Sequence, residues 1–192
     1  MLSPSLLVAA YRAGYFPMAM DDGEIQWFSP DPRGILPLDG LHVSRRLRRV
    51  VRSGRLVVTI DRAFRDVMLA CAADRDEGTW IDQTIVEGYV AMHDAGLAHS
   101  VEVWDQSRLA GGLYGVALGG AFFAESMFTR ASDASKVALV ALVDRLRLRG
   151  FQLLDTQWLT PFLETLGGVD VPRDEYLERL QAALRVRTRF VD

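Results

Sequence analysis

The sequence is poor in the features that mark secreted, membrane and metal-dependent proteins. Among 192 residues there is one cysteine, Cys71, which excludes an internal disulfide and argues against a structural zinc site. No apolar run is long enough to span a bilayer; Val137 to Val143 is typical of the longest. The opening Met1-Leu2-Ser3-Pro4 lacks the basic stretch of a signal peptide, so a cytoplasmic location without a membrane partner is expected. His93 and His99 have no cysteine or acid cluster at ligand spacing, and neither a metal nor another cofactor is expected. Repeats and low-complexity tracts are absent. Net charge is also small, 22 basic against 25 acidic residues, or -3.

What is present fits an ordinary folded chain: 49% hydrophobic and 24% charged residues, and a length suited to one substantial domain. The charge is unevenly spread. Arg45, Arg46, Arg48, Arg49, Arg52 and Arg55 fall within eleven residues, with no acid between Ser44 and Leu56 to neutralise them. Such a run is either a solvated helix face or the seat of an anionic partner, and a phosphate backbone would suit it.

Punctuation residues divide the chain. Ser3, Pro4 and Gly14 frame a first helix. Tyr15 to Pro37, rich in proline and interleaved with Phe16, Trp27 and Phe28, reads as an ordered connector, with a boundary near Asp31. That places a small amino-terminal segment at 1–31 and the main domain at 32–192. Ser44 caps the basic helix, Leu56 to Ile60 is strand-like, and helices follow from Asp61 and Asp82, each acid serving as cap. Three strands come next, His99 to Trp104, Leu109 to Leu118 and Ala121 to Met127, the last two joined by a Gly119-Gly120 turn. An apolar-striped helix from Ala134 to Arg149, a strand from Phe151 to Thr156 and two short helices complete the pattern. The order predicts an α+β fold, a largely antiparallel mixed sheet flanked by helices, which matches the GNAT-like acyltransferase layout.

The candidate chemistry sits at the ends of two apolar strands. Glu125 lies among Phe122, Phe123, Met127 and Phe128, where a carboxylate either shifts its pKa or finds a cationic partner; the plain alternative is a solvated strand-end acid. Asp155 and Gln157 close the next strand, and period-two alternation puts both on one face. Asp155 could equally cap the following helix. Gly111-Gly112-Leu113-Tyr114-Gly115 lacks the lysine and helix of a phosphate loop and reads as a strand closely approached by a ligand. Trp80 is either core or a stacking platform for a base. Ser126 lacks the glycine-flanked elbow and histidine of a hydrolase nucleophile.

These residues recur in segments that resemble one family. Ala10 to Pro17, Trp27 to Arg33, Leu41 to Arg45, Glu77-Gly78-Thr79-Trp80-Ile81, His99 to Trp104, Gly111 to Ala117, Glu125-Ser126-Met127-Phe128 and Ala134-Ser135-Lys136 are similar to the bacterial leucyl/phenylalanyl-tRNA-protein transferases. The likeness runs from about Leu6 to about Leu184. Against longer members the chain lacks an upstream segment, and its end from Arg185 is atypical.

The resemblance implies transfer of Leu or Phe, and also Met, from aminoacyl-tRNA to the amino-terminal Arg or Lys of an acceptor protein, creating a degradation signal. It implies Glu125, Asp155 and Gln157 at the reacting centre. Tyr11 and Trp80 would lie near the aminoacyl-adenosine, with Leu113, Phe122, Ser126, Leu142 and Leu146 around the side-chain pocket. The arginine cluster would hold Leu-tRNA or Phe-tRNA, and the protein would act as a monomer. In the expected mechanism Asp155, acting through Gln157, helps deprotonate the attacking amine, while Glu125 pairs with a cationic group of the acceptor or organises the aminoacyl amine. Two rivals remain, an acetyl-CoA-dependent N-acetyltransferase of the same layout and a noncatalytic RNA-binding protein.

Overall fold

A computed structural model describes residues 2–73 and 79–192; Glu77 and Gly78 of the Trp80 segment lie outside them. The chain runs α1 (Pro4–Arg12), β1 (Phe16–Ala19), β2 (Ile25–Phe28), β3 (Arg33–Ile35), α2 (Arg45–Arg52), β4 (Leu56–Ile60), α3 (Phe64–Ala73) and α4 (Gln83–Asp94). It continues with β5 (Ala98–Asp105), β6 (Arg108–Leu118), β7 (Ala121–Thr129), α5 (Ala134–Leu148), β8 (Leu153–Gln157), α6 (Pro161–Thr165), β9 (Val169–Val171) and α7 (Arg173–Leu184). Seven strands form one mixed sheet in the order β4-β5-β6-β7-β8-β3-β9, while β1 and β2 make a separate hairpin. Among the described residues only the β7–β8 pairing is parallel, because α5 crosses over between them. No helix among the described residues is long and apolar enough to cross a membrane.

Each face of the sheet carries its own apolar cluster. Tyr11, Met68, Tyr89, Met92, Tyr176 and Leu180 bring α1, α3, α4 and α7 onto one face. Leu47, Leu139, Leu142 and Leu163 bring α2, α5 and α6 onto the other. Strand alternation feeds both, so that adjacent Leu153 and Leu154 enter opposite clusters. The tail beyond α7 is anchored by Phe190, 1% exposed, whose ring lies 5.1 Å from that of Phe122.

Local chemistry explains the helix starts. Ser3, Ser44, Asp82 and Thr160 each accept a backbone N–H of the first turn, from Leu6, Leu47, Ile85 and Leu163. Asp61 does not cap α3 as expected. It adopts φ 56 and its carboxylate bonds the His99 ring and the Ser100 N–H, while buried Glu102 from β5 accepts the Ala63 N–H at 3.2 Å. His99 is thus a core histidine. The expected connector Tyr15 to Pro37 holds three strands instead of irregular chain, and β3 enters the main sheet between β8 and β9. Gly34 makes that insertion possible, since a Cβ there would sit 2.5 Å from the Leu159 nitrogen.

Candidate active site

The parallel seam between β7 and β8 is short. Pairing runs from Ala121↔Leu153 to Phe123↔Asp155 and stops, whereas β7 continues to Thr129. Beyond the stop the two strands part, and a cavity of about 400 Å³ opens between their carboxyl ends. Glu125, Ser126, Met127, Thr156 and Gln157 line its strand side. Phe16, Met18, Trp80, Leu139, Trp158, Phe162 and Leu163 supply mostly apolar walls.

A bulge aims Glu125. Tyr114 pairs with Ser126 but the next residue, Gly115, pairs with Ala124, so Glu125 is the extra residue of β7. The clusters record the resulting change of phase: Phe123 belongs to one and Met127 packs on the other, although four residues apart on an unbroken strand would share a face. The glycines of β6 serve this packing rather than a ligand. A Cβ on Gly115 would meet the Phe123 oxygen at 2.2 Å, and one on Gly111 would meet Ala134 at 2.6 Å, which corrects the expectation of a ligand lying over the strand.

Glu125 is 8% exposed. Its Oε1 accepts from the Gln157 amide at 3.0 Å and its Oε2 from the Tyr89 hydroxyl at 3.2 Å; Tyr11 bonds both Tyr89 and Glu125. Burial pushes the Glu125 carboxyl up to about 8, further raised by Asp155 and opposed by the Tyr11 and Tyr89 bonds and by Arg33. Burial first, and then the Glu125 charge, keep both tyrosine hydroxyls protonated well above their usual range. A carboxyl with this pKa exchanges a proton near neutral pH.

Asp155 is wholly buried and stands behind the cavity, not on its wall. Its Oδ1 accepts from Arg33 Nε at 3.0 Å and from the Gln157 backbone N–H at 2.8 Å; its Oδ2 accepts from Arg33 NH2 at 2.7 Å and from the Tyr176 hydroxyl at 2.6 Å. It caps no helix, and Thr160 takes that role for α6. Strict alternation does not carry Asp155 and Gln157 to a shared wall, because Gln157 turns to φ 61 and only its side chain reaches the cavity. Such a conformation costs a non-glycine residue about 1–3 kcal/mol and persists where neighbours hold it.

Of the expected pocket residues, Trp80 and Ser126 line the cavity and Tyr11 lies one bond behind, on Glu125. Leu113, Phe122, Leu142 and Leu146 do not line it. They are at most 1% exposed and fill the core cluster behind Leu139, which itself reaches the wall. Sequence reasoning missed Phe16, Met18, Trp158 and Phe162. Phe16 and Phe28 pack on the Trp158 ring, at centroid separations of 5.0 and 6.2 Å, so the aromatics of the connector were the available signal. It also missed Arg33, buried with 0% exposure.

All six arginines of the basic run are exposed. At helical spacing Arg45, Arg48, Arg49 and Arg52 form one stripe opposite buried Leu47. Arg46 turns aside to Asp133 at 2.9 Å, at the start of α5. Asp133 also lies 4.0 Å from Lys136, whose ammonium stands 5.8 Å from the ring of cavity-lining Phe162. Cations therefore extend from α2 to the cavity rim.

Comparison with known sequences gives this geometry a context. The profile of the family described as leucyl/phenylalanyl-tRNA protein transferase matches residues 35–181, and that of its N-terminal domain matches residues 1–31. A leucyl/phenylalanyl-tRNA–protein transferase of Rubrobacter xylanophilus is 55% identical over 98% of both chains. That of Herpetosiphon aurantiacus is 53% identical, again over 98% of each. Among solved structures, L-PGS from Bacillus licheniformis overlaps 82% of this chain and 54% of its own with a TM-score of 0.42 and 11% identity, a likeness too shallow to define the fold. With a profile spanning most of its length and relatives sharing over half its residues from end to end, the chain belongs to the leucyl/phenylalanyl-tRNA protein transferase family.

Proposed function

We infer that this protein is an aminoacyltransferase that moves Leu or Phe, and also Met, from aminoacyl-tRNA to the amino-terminal Arg or Lys of an acceptor protein, marking it for degradation. The observation that carries the reading is a proton-exchanging carboxyl, Glu125, held by the Gln157 amide on the floor of an apolar cavity. Trp80 and Trp158 offer stacking surfaces at the same cavity for the terminal adenosine, and the arginine stripe of α2 suits the tRNA phosphates.

An aminoacyl ester is already activated, so positioning and proton transfer are the work required. The acceptor's α-ammonium, with an ordinary pKa of about 7.7–8.0, matches the Glu125 carboxyl at about 8. Glu125 takes a proton from it and the freed amine attacks the ester carbonyl. A C–N bond forms, the ester C–O bond breaks as Glu125 gives its proton to the departing ribose oxygen, and the extra proton on the new amide nitrogen passes to the Glu125 carboxylate and from there to solvent. Gln157 steadies the reacting groups by hydrogen bonding and has no basicity of its own. Asp155 acts through Gln157, since all its contacts are taken by Arg33, Tyr176 and the Gln157 N–H. Met18, Met127, Leu139, Phe162 and Leu163 favour long apolar side chains, by about 10- to 200-fold per methylene-scale difference.

The reading includes a monomeric cytoplasmic enzyme without a cofactor, with residues 1–31 as a small amino-terminal segment and 32–192 as the catalytic domain. The antiparallel run β4 to β7, leading through α5 into parallel β8, supports a GNAT-like scaffold. The acetyl-CoA rival is disfavoured because Asp133 occupies the start of α5, where a pyrophosphate would sit. Incubation with labelled Leu-tRNA and a protein beginning with Arg tests the proposal. A new amino-terminal leucine is expected; acetyl-CoA turnover or unlabelled acceptor overturns it.

A further inference from the structure

We propose that Arg33 is the positioning residue of the transfer site, clamping Asp155 so that Gln157 is held against Glu125 on the cavity floor. The inference rests on the reaction proposed above and assigns a task to a residue that touches no substrate. Arg33 has 0% exposure, and every contact of its guanidinium is directional. Nε and NH2 grip the two oxygens of Asp155 at 3.0 and 2.7 Å, and NH1 donates to the Gly14 carbonyl at 2.9 Å. Its plane is set by the rings of Tyr176 at 4.4 Å and Phe16 at 5.0 Å. Phe16 is also a cavity wall, so one fork ties the amino-terminal segment, α7 and β8 to the floor.

The chain of consequence is short. With both oxygens gripped, Asp155 cannot rotate, and its Oδ1 fixes the Gln157 N–H at 2.8 Å. That bond holds Gln157 in its left-handed conformation, from which the side-chain amide reaches Glu125. A buried ion pair contributes little net stability compared with apolar side chains of the same volume, whereas its fixed geometry is something apolar side chains cannot supply. Lysine would keep the charge but has no planar fork to hold two carboxylate oxygens and a carbonyl at once. Electrostatics adds a second link. The groups facing Glu125 are Tyr11 of α1, Tyr89 of α4 with Tyr114 of β6 beside it, Gln157 and Asp155 of β8, and Arg33 of β3, with Tyr176 of α7 behind Asp155. Burial outweighs them all, but Asp155 raises the Glu125 pKa and Arg33 lowers it.

The test compares Arg33→Lys, Arg33→Met and the double variant Arg33→Met/Asp155→Asn in the full chain. Transfer kinetics are measured together with the titration of Glu125 by carbon NMR and the Gln157 backbone amide shift. Arg33→Lys is expected to lower kcat about 100-fold, with KM for Leu-tRNA changed less than about twofold, and to displace the Gln157 amide signal. Arg33→Met should move the Glu125 titration upward, and the double variant should bring it back toward about 8, because both opposing charges are then gone. Unchanged kcat in Arg33→Lys overturns the inference, as does a titration indifferent to Arg33→Met. If Arg33→Met does not fold, Arg33→Lys decides alone: loss confined to kcat supports positioning, and equal loss in kcat, KM and stability overturns it. If the unmodified protein transfers no leucine, the proposed reaction fails. The Gln157 amide in Arg33→Lys then still decides, displaced in support or unmoved against.

Discussion

Glu125 holds its proton up to about pH 8 in the folded chain but would lose it near 4.5 when unfolded. The folded state therefore binds the extra proton between these values, and its stability falls as pH rises from the lower to the upper one. Glu125→Gln cannot ionise. It is expected to change stability by less than about 1 kcal/mol at pH 5 and to exceed the unmodified protein by an amount on the order of 4 kcal/mol at pH 8.5, by denaturant titration at both pH values. The same variant should lose transfer activity, so that a more stable protein is a less active one. Gln157 allows a complementary separation. Asparagine tolerates φ 61 better but is one methylene too short to reach Glu125. Gln157→Asn should keep or raise Tm while kcat falls by at least about 10-fold.

At the level of elements, the bulge and the basic helix are the two devices most open to test. Gly115→Ala would push a methyl into the Phe123 carbonyl and the Phe122 ring, neither of which can yield without shifting β7. A loss of about 1–3 kcal/mol or more is expected in urea denaturation. On α2, Arg45→Glu/Arg49→Glu alters exposed positions and should leave Tm nearly unchanged. tRNA affinity should drop, and the slope of log affinity against log salt should flatten by about one per lost phosphate contact. These elements also show what can be read from sequence. Helices announced themselves through Ser3, Ser44 and Asp82, because capping is local chemistry, whereas the cap of α6 fell to Thr160 and not to Asp155. Strands β1, β2, β3 and β9, three or four residues each, did not, because their pairing depends on partners far along the chain. Glu125 and Gln157 were legible as polar groups ending apolar strands. Arg33 was not, since an arginine in a proline-rich stretch reads as solvated until its partner 122 residues away is known.

Across the whole molecule, the two clusters meet at the sheet, and the tail closes one of them. Phe190 packs against Phe122, Phe151 and His99, and its carbonyl accepts from Arg145 at 2.6 Å. Phe190→Ala is expected to destabilise the fold by about 3–5 kcal/mol, measured by chemical denaturation, since a ring is removed from a site that the surrounding sheet cannot refill. A loss below about 1 kcal/mol would mean that the tail is an appendage.

The insertion of β3 between β8 and β9 also sets a timetable for the chain as it leaves the ribosome. Arg33 emerges 122 residues before the carboxylate that neutralises it. At about 5–20 residues per second, that leaves roughly 6 to 24 seconds in which the nascent segment carries an unpaired cation and an unfilled sheet position. Antiparallel β4 to β7 can assemble meanwhile from neighbours in sequence, but the cavity floor cannot exist until β8 has been translated. A half-made chain therefore lacks the floor on which the proposed transfer depends.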